Sequence, residues 1–450
     1  IEVFGSSDVS ITDCRFDSIS QSGVYVLGAS PRLTVSGCKF TSCFCAIFSD
    51  DDTVYQPTAL KIVGNSIVDG LALPTAAYSG GIKVSGLTGH QHYASHVIAD
   101  NVIMSAGQMG VELHTGCNNS SVTGNTIMGC GFGISIAGDH VGVSVTGNSI
   151  RGCIGYGIEL ASGTRSTVAG NSISCTNAAG VAITDSVAIL VSGYTGASIT
   201  GNAIHFSQFI GVHVYNSNKV DISSNHIFIG SREGIRFQNS YAVSATGNSI
   251  TNGGTAYNGI IIDVSASTGG YAGFDLIGNV FTGTFDFSLI RMLSTSGSAF
   301  IKSVTISGND TSNSISSGGN AVDSVYAGST SYHTAVIIKD NNHGASSQTG
   351  YALNNNYIQI DSNISPGILN WGVVGVDASG GNKTVTLPDL TKWYGKTVTV
   401  KKIDASGNTV TIATTGGQTI DGAGSLSIGT QWHFYTLIST GDFWAIINRY

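Results

Sequence analysis

Residues 110–174 read GVELHTGCNNSSVTGNTIMGCGFGISIAGDHVGVSVTGNSIRGCIGYGIELASGTRSTVAGNSIS. Two phrases alternate in this stretch. One is Gly-Asn-X-Ile or a close variant, centred on Asn125, Asn148 and Asn171, 23 residues apart. The other is Gly-apolar-X-apolar, at Gly110, Gly133 and Gly157. The first phrase recurs upstream at Asn65 and Asn101, and downstream at Asn202, Asn225, Asn248, Asn279 and Asn309. The second recurs at Gly23, Gly81, Gly180, Gly211, Gly234 and Gly259. The base unit is 23 residues, and intervals of 30, 31 and 36 mark units carrying insertions. Near the start, Cys14 and Cys38 hold the Asn position 24 residues apart. Each unit contains short runs of Val, Ile and Thr broken by Gly and Asn turns, which predicts strands. A unit this small cannot bury an apolar face alone, so the units must stack. The predicted fold is all-β, a right-handed parallel β-helix rising about 4.8 Å per rung. The recurring Asn is expected to form an internal ladder at a turn, where its amide bonds neighbouring backbone and where left-handed dihedrals are tolerated.

Composition agrees. The 450 residues include 61 Gly but only 5 Pro, and charged residues are 10% against 41% hydrophobic. Low charge and ample apolar surface exclude intrinsic disorder. The lack of a Gly-X-Y period excludes collagen. No apolar run reaches the roughly 18 residues of a membrane helix. A formal charge of −8 without any Lys/Arg cluster argues against nucleic acid as a partner. The first residue is Ile within an already alternating stretch, which suggests a preceding region outside this sequence.

Cys43, Cys130 and Cys153 each fall five residues after a ladder position. They are expected to stack as buried thiols rather than bridge, which points to assembly in a reducing cytosol. The repeat fades near residue 330. Residues 1–330 are assigned to the β-helix and 331–366 to a connector. Residues 367–450 alternate with turn signals every eight to ten residues, predicting a small antiparallel β-sandwich. Trp393, Trp432 and Trp444 concentrate there with Lys396, Lys401 and Lys402; the aromatics serve as core or as sugar platforms.

In Gly-apolar-X-apolar the apolar pair faces the core and X faces out. Aligning rungs by the Gly gives an outward stripe through Ile47, Lys83, Glu112, Ser135, Glu159, Ala182, His213 and Arg236. The neighbouring stripe runs through Ser49, Ser85, His114, Ala137, Ala161, Thr184, Tyr215 and Gln238. Glu occurs only four times in the chain, at 2, 112, 159 and 233, yet two of the four fall in one stripe. Glu112 and Glu159 are the candidate catalytic pair. Their backbones should lie two rungs, about 9.6 Å, apart, close to the ~6.5–9.5 Å carboxyl spacing of inverting glycosidases. One would act as acid on the glycosidic oxygen and the other as base on water. His114, Ser135, His213, Tyr215 and Arg236 are candidate substrate contacts, as is Tyr93 in an insertion at residues 86–96. No metal or cofactor site is expected. His90, His92 and His96 lack the Cys or carboxylate neighbours of a zinc site. The acidic run at Asp50, Asp51 and Asp52 reads as a solvated turn. An alternative centre uses His213, Tyr215 and Arg236 to abstract a proton beside a uronate carboxylate. A carboxylate of another face, Asp263 or Asp275, is a further candidate should the site lie between subunits.

The repeated "GNSI … GIXI" units resemble the pectin-lyase-like β-helix superfamily. The polygalacturonase constellation of Asp and His motifs is not present. The segment KTVTVKKIDASGNTVTIATTGGQTIDGAGSLSIGTQWHFYTLISTGDFWAI, from Lys396, resembles a terminal domain of bacteriophage tailspikes and tail fibres. That resemblance implies a homotrimer in the virion, joined to a phage tail through a missing N-terminal region. It implies an endoglycosidase degrading bacterial surface polysaccharide, O-antigen or capsule, with no membrane insertion. A polysaccharide lyase and a non-catalytic receptor-binding fibre or adhesin are the alternatives. A deacetylase would want a nucleophile elbow, and no Gly-X-Ser-X-Gly is present.

Overall fold

A computed structural model describes residues 1–28, 30–50, 58–70, 80–85, 94–174, 187–206, 210–254, 256–264, 270–294, 300–316, 320–326, 334–339, 357–360, 372–390, 394–395 and 397–450. The chain divides into two compact units, Ile1–Gly350 and Tyr351–Tyr450.

The first unit is a right-handed parallel β-helix of three long sheets. Each rung contributes one strand to each sheet. One rung illustrates the pattern, with Met109–His114 in the first sheet, Ser121–Thr123 in the second and Thr126–Met128 in the third. All three pair in parallel with the equivalent strands one unit on. The middle residue of every three-residue strand is buried, as in Ser121–Thr123 and Ser144–Thr146, because strand alternation turns it inward. Val122, Val145, Ile127 and Ile150 therefore stack along the interior at 0–1% exposure.

The Asn ladder exists and is continuous. Asn125 Nδ2 donates to Asn148 Oδ1 at 3.0 Å, and Asn125 N donates to the same oxygen at 3.0 Å. Asn148 repeats both bonds to Asn171, and the series runs on to Asn309. The left-handed residue is not the Asn but its predecessor, Gly124, Gly147 and Gly170 having φ of 62–65°. The Asn instead supplies two donors and a doubly used acceptor, closing the turn's backbone groups where water is absent. A second ladder lines another corner. Leu60 N donates to His96 Nδ1, His96 N to Ser120 Oγ, and Val143 N to Ser166 Oγ.

The cysteines behave as buried thiols. Cys43, Cys130 and Cys153 are at most 3% exposed and free. Burial pushes the Cys130 thiol up to about 11, so it is an unreactive interior group.

The strand Thr334–Lys339, inside the stretch assigned to a connector, pairs in parallel with Phe300–Ser307 and extends the helical sheet. The second unit holds two small sheets. The larger contains Tyr357–Ile360, Val373–Val376, Thr397–Lys402, Phe434–Ser439 and Trp444–Arg449. Its pairing is mixed rather than wholly antiparallel: Val373–Val376 runs parallel to Thr397–Lys402, which runs antiparallel to Phe434–Ser439. The smaller joins Lys383–Thr386, Val410–Ala413 and Ser425–Ile428. Trp444 is wholly buried in this unit's core, whereas Trp432 is 54% exposed with Lys401 Nζ 5.3 Å from its ring centre. Lys402 is fully buried and ion-paired with Asp404 at 2.6 Å. Trp393 and Lys396 lie outside the described residues.

Candidate active site

The outward stripe of the first sheet is set by register. Lys83 pairs with Glu112, Glu112 with Ser135, and Ser135 with Glu159. Three candidate residues therefore occupy successive rungs, with the two glutamates two strand spacings apart. The structure corrects the stripe at two places. Ile47 points into the core at 1% exposure, and Phe48 takes the outward place between Tyr25 and Lys83. The cause is that Ala46, not Cys45, holds the position of the Gly. Beyond Glu159 the strand Val187–Ser192 supplies the next rung, so Leu190 and Ser192 stand where Ala182 and Thr184 were expected. Ala188 replaces the Gly there, which hid the true phrase from a glycine-based alignment. Ala182 and Thr184 lie outside the described residues, as do Tyr93, His90, His92, Asp51 and Asp52.

The two glutamates occupy different environments. Glu112 is 6% exposed, and its Oε2 meets Lys83 Nζ at 3.1 Å. Lys83 is itself only 8% exposed, so the charges compensate one another away from bulk water. Among the described residues Glu159 has no ion-pair partner. Ser135 Oγ donates to its Oε2 at 2.8 Å. Burial raises the Glu159 pKa above the usual carboxylate range; the Ser135 bond opposes this and the Glu112 charge adds to it. One carboxylate is thus clamped by a cation, and its neighbour is biased towards the protonated form. That division is what an acid–base pair requires.

A third row, one step before the Gly of each phrase, borders this pair. Met109 pairs with Phe132, and the Phe132 and Tyr156 rings lie 5.5 Å apart at a tilt of 51°. Burial, and then the Glu159 charge, raises the Tyr156 pKa. Phe132 and Tyr156 form an aromatic edge along the acid pair. Neither was a sequence candidate, although the spacing of three residues before X would have found both. On the other side lie His114, Ala137 and Ala161 in one register row. His114 is exposed, with Thr115 Oγ1 3.1 Å from its Nδ1. Small side chains leave the floor there open.

His213, Tyr215 and Arg236 belong to a different part of the face. Leu190 separates Glu159 from His213 in the register, and Val187, Leu190 and Ile210 form an apolar cluster with Tyr156 packed against it. His213 Nε2 is 3.0 Å from Gln238 Oε1, and burial, then Arg236, pushes its pKa down to about 4. Arg236 Nη2 donates to Asp263 Oδ2 at 2.6 Å. Asp275 lies in the second sheet, paired with Ser244, on another face from the glutamates. His96 is a buried acceptor of the corner ladder, not a surface ligand. Among the described residues no group of three or more His, Cys, Asp or Glu could hold a metal ion.

A family model for a right handed beta helix region matches residues 54–193, the segment carrying Lys83, Glu112, Ser135 and Glu159. No curated protein matches the chain. Similar solved structures include the periplasmic alginate epimerase AlgG, 14% identical, TM-score 0.41, with 75% of this chain and 77% of that one covered. They include the DFA-IIIase of Arthrobacter chlorophenolicus in complex with DFA-III, 12% identical, TM-score 0.40, with 84% of each chain covered. They also include the Dettilon tailspike protein, 14% identical, TM-score 0.38, with 70% of this chain and 60% of that one covered.

Proposed function

We propose that the chain is an endo-acting glycoside hydrolase that cuts a bacterial surface polysaccharide, O-antigen or capsule, as part of a trimeric phage tailspike. The observation that carries the chemistry is the Lys83–Glu112 / Ser135–Glu159 arrangement, two carboxylates whose backbones lie two strand spacings apart and whose environments are unlike. Glu159, biased towards protonation, delivers a proton to the leaving glycosidic oxygen. Glu112 takes the proton from the attacking water as that water adds to the anomeric carbon. The two products together gain one water, and the configuration inverts. Phe132 and Tyr156 offer apolar ring surface to the less polar faces of a sugar. The placement on a phage tail, the trimer and a preceding attachment region follow from the resemblance of the C-terminal segment.

The alternative of β-elimination has one observation in its favour: His213, with its pKa pushed down to about 4, is a neutral imidazole available as a base. Against it, the Arg236 charge is already compensated by Asp263. Product mass after incubation with purified O-antigens and capsules separates the readings. Fragments heavier by one water per cut, lost in Glu159→Gln, support hydrolysis. Fragments without added water, unaffected by Glu159→Gln, overturn it and direct attention to His213. Binding without fragments from any polymer favours a receptor-binding fibre.

A further inference from the structure

Trp432, in the second unit, stands where backbone geometry favours glycine. Its φ is 68°. His433 N donates to Thr430 O, so Trp432 is the third residue of a β-turn, and a positive φ at that place is the mark of type II. Trp432 N donates to Lys402 O, and Lys402 N donates to His433 O. Trp432 and His433 thus oppose the single residue Lys402, a β-bulge of the kind whose first residue is ordinarily a left-handed Gly. A bulky side chain in this region strains the backbone. Packing does not offset the strain, because the indole is 54% exposed and lies outside the unit's core. Bulges of this sort re-aim a side chain.

The surroundings say what the indole is aimed at. Lys401 Nζ stands over the ring, 5.3 Å from its centre. Val400 and Lys402 are buried on either side of Lys401, so alternation turns Lys401 outward. Lys401 pairs with Phe434, and Phe434 exchanges backbone bonds with Tyr450. These three side chains share one face of the sheet across three strands, about 9.6 Å at two strand spacings. Tyr450 is 76% exposed, and its ring meets His433 edge-on at 5.2 Å. The neighbouring register row holds Thr399, Thr436 and Asn448, which carry no charge. Open rings, hydroxyls and one ammonium stand together, with no carboxylate in either row.

We infer that Trp432 and Lys401 form a second carbohydrate site, separate from the glutamate pair, that takes an acidic sugar residue. The apolar face of the sugar ring stacks on the open side of the indole. Its carboxylate meets the Lys401 ammonium in a charge-assisted hydrogen bond. Other ligands fit worse. A cation, the usual guest of an aromatic surface, would face Lys401 as a like charge. An apolar protein surface docked here would bury the ammonium without a counter-charge. A neutral sugar would stack but leave the charge unused. The choice of a sugar over other acidic ring compounds rests on the proposed polysaccharide function. The site takes no part in cleavage; it holds the polymer.

The test uses the full chain carrying Glu112→Gln and Glu159→Gln, so that no probe is cut, labelled with 5-fluorotryptophan. The chain has four Trp, and the fluorine resonance lost in Trp432→Phe is that of Trp432. The probes are oligogalacturonate, oligomannuronate and hyaluronan hexasaccharides, with maltohexaose and cellohexaose as uncharged comparators. At least one acidic probe should shift the Trp432 resonance, and the uncharged ones should bind about tenfold more weakly. Lys401→Gln should weaken the acidic probe about tenfold, and Lys401→Arg much less. Trp432→Gly should abolish binding without lowering the urea midpoint, because Gly relieves the left-handed backbone. A Trp432 resonance indifferent to all three acidic probes overturns the proposal, as does an equal response to the uncharged ones. A lowered midpoint in Trp432→Gly would make the indole a structural residue, and a smaller assembly by sedimentation would make it a subunit contact; either result discards the site. Polymer cleavage that depends on Glu159 while the Trp432 resonance stays still removes this site and leaves the hydrolase standing. A Trp432 response in a protein that cuts no polymer does the reverse.

Discussion

Ser135 Oγ donates to Glu159 Oε2 at 2.8 Å from the strand lying between the two glutamates. The hydroxyl therefore stabilises the ionised form of the group proposed as acid, while burial favours the neutral one. The two influences oppose one another in setting the pH at which Glu159 loses its proton.

Ser135→Ala removes the stabilising bond and leaves burial in place. The Glu159 pKa then moves further up. The alkaline limb of the pH–rate profile, which reports loss of the acid's proton, should shift to higher pH. The maximal rate should change less than about tenfold, since one hydrogen bond to a charged group is worth ~1.5–3 kcal/mol shared between ground and transition states. A limb that stays in place would mean that Glu159 is not the titrating acid.

Lys83→Met is expected to be worse than the double change Lys83→Met with Glu112→Gln. The single variant strands a carboxylate at 6% exposure without its cation. Breaking one side of such a pair costs about 3–5 kcal/mol, whereas removing both charges is often close to neutral. Denaturant unfolding of the two variants should show partial recovery of stability in the double one. Activity should be lost in both.

Acid should weaken the β-helix through His96. Burial pushes its pKa down to about 4, and its Nδ1 must stay unprotonated to accept from Leu60 N. In the unfolded chain the imidazole titrates near 6.5. Between those values the unfolded state binds more protons, so stability rises with pH and is lost as pH falls from 6.5 to 4. The shift corresponds to about 3 kcal/mol at 1.36 kcal/mol per unit. His96→Gln should flatten the dependence of the urea midpoint on pH in that window. An unchanged slope would assign the acid sensitivity to other groups.

The rung repeat was legible because the ladder Asn and the stacked Ile are each demanded by a backbone geometry that no other residue serves as well. The face carrying the candidate pair was legible for the same reason: Gly110, Gly133 and Gly157 mark the phase of the strand, and Glu112, Ser135 and Glu159 follow from it. The phase was lost wherever the Gly gave way to Ala. Ala46 and Ala188 serve the corner as Gly does, so Phe48 and Leu190 were missed. The partners of each carboxylate were not legible. Lys83 beside Glu112 was in the stripe, but only side-chain geometry shows the ion pair.

The Asn ladder makes a sharp prediction about where the β-helix is weak. Asn148 Oδ1 accepts from both Asn125 N and Asn125 Nδ2, and its own Nδ2 donates to Asn171 Oδ1 and to Val122 O. Asn148→Ala would leave Asn125 N without its acceptor, at about 1–3 kcal/mol, and would leave Asn125 Nδ2 only its bonds to Ile98 O and Thr123 O. Asn148→Asp keeps the acceptor but loses the donors, and it buries a charge beside Asn171 Oδ1, so it should be at least as damaging at neutral pH. Protonation at low pH would restore one donor, so the Asp variant alone should gain stability relative to the Ala variant as pH falls. Cys at this position has a precedent in the same chain, since Cys38 sits in the ladder with its backbone N donating to Asn65 Oδ1 and its thiol directed at Ser36 O. Asn148→Cys should therefore be milder than Asn148→Ala. Unfolding rates of the three variants, measured side by side at pH 7 and pH 4, would test the order; a ladder in which all three behave alike would mean that the amide contributes no more than its volume.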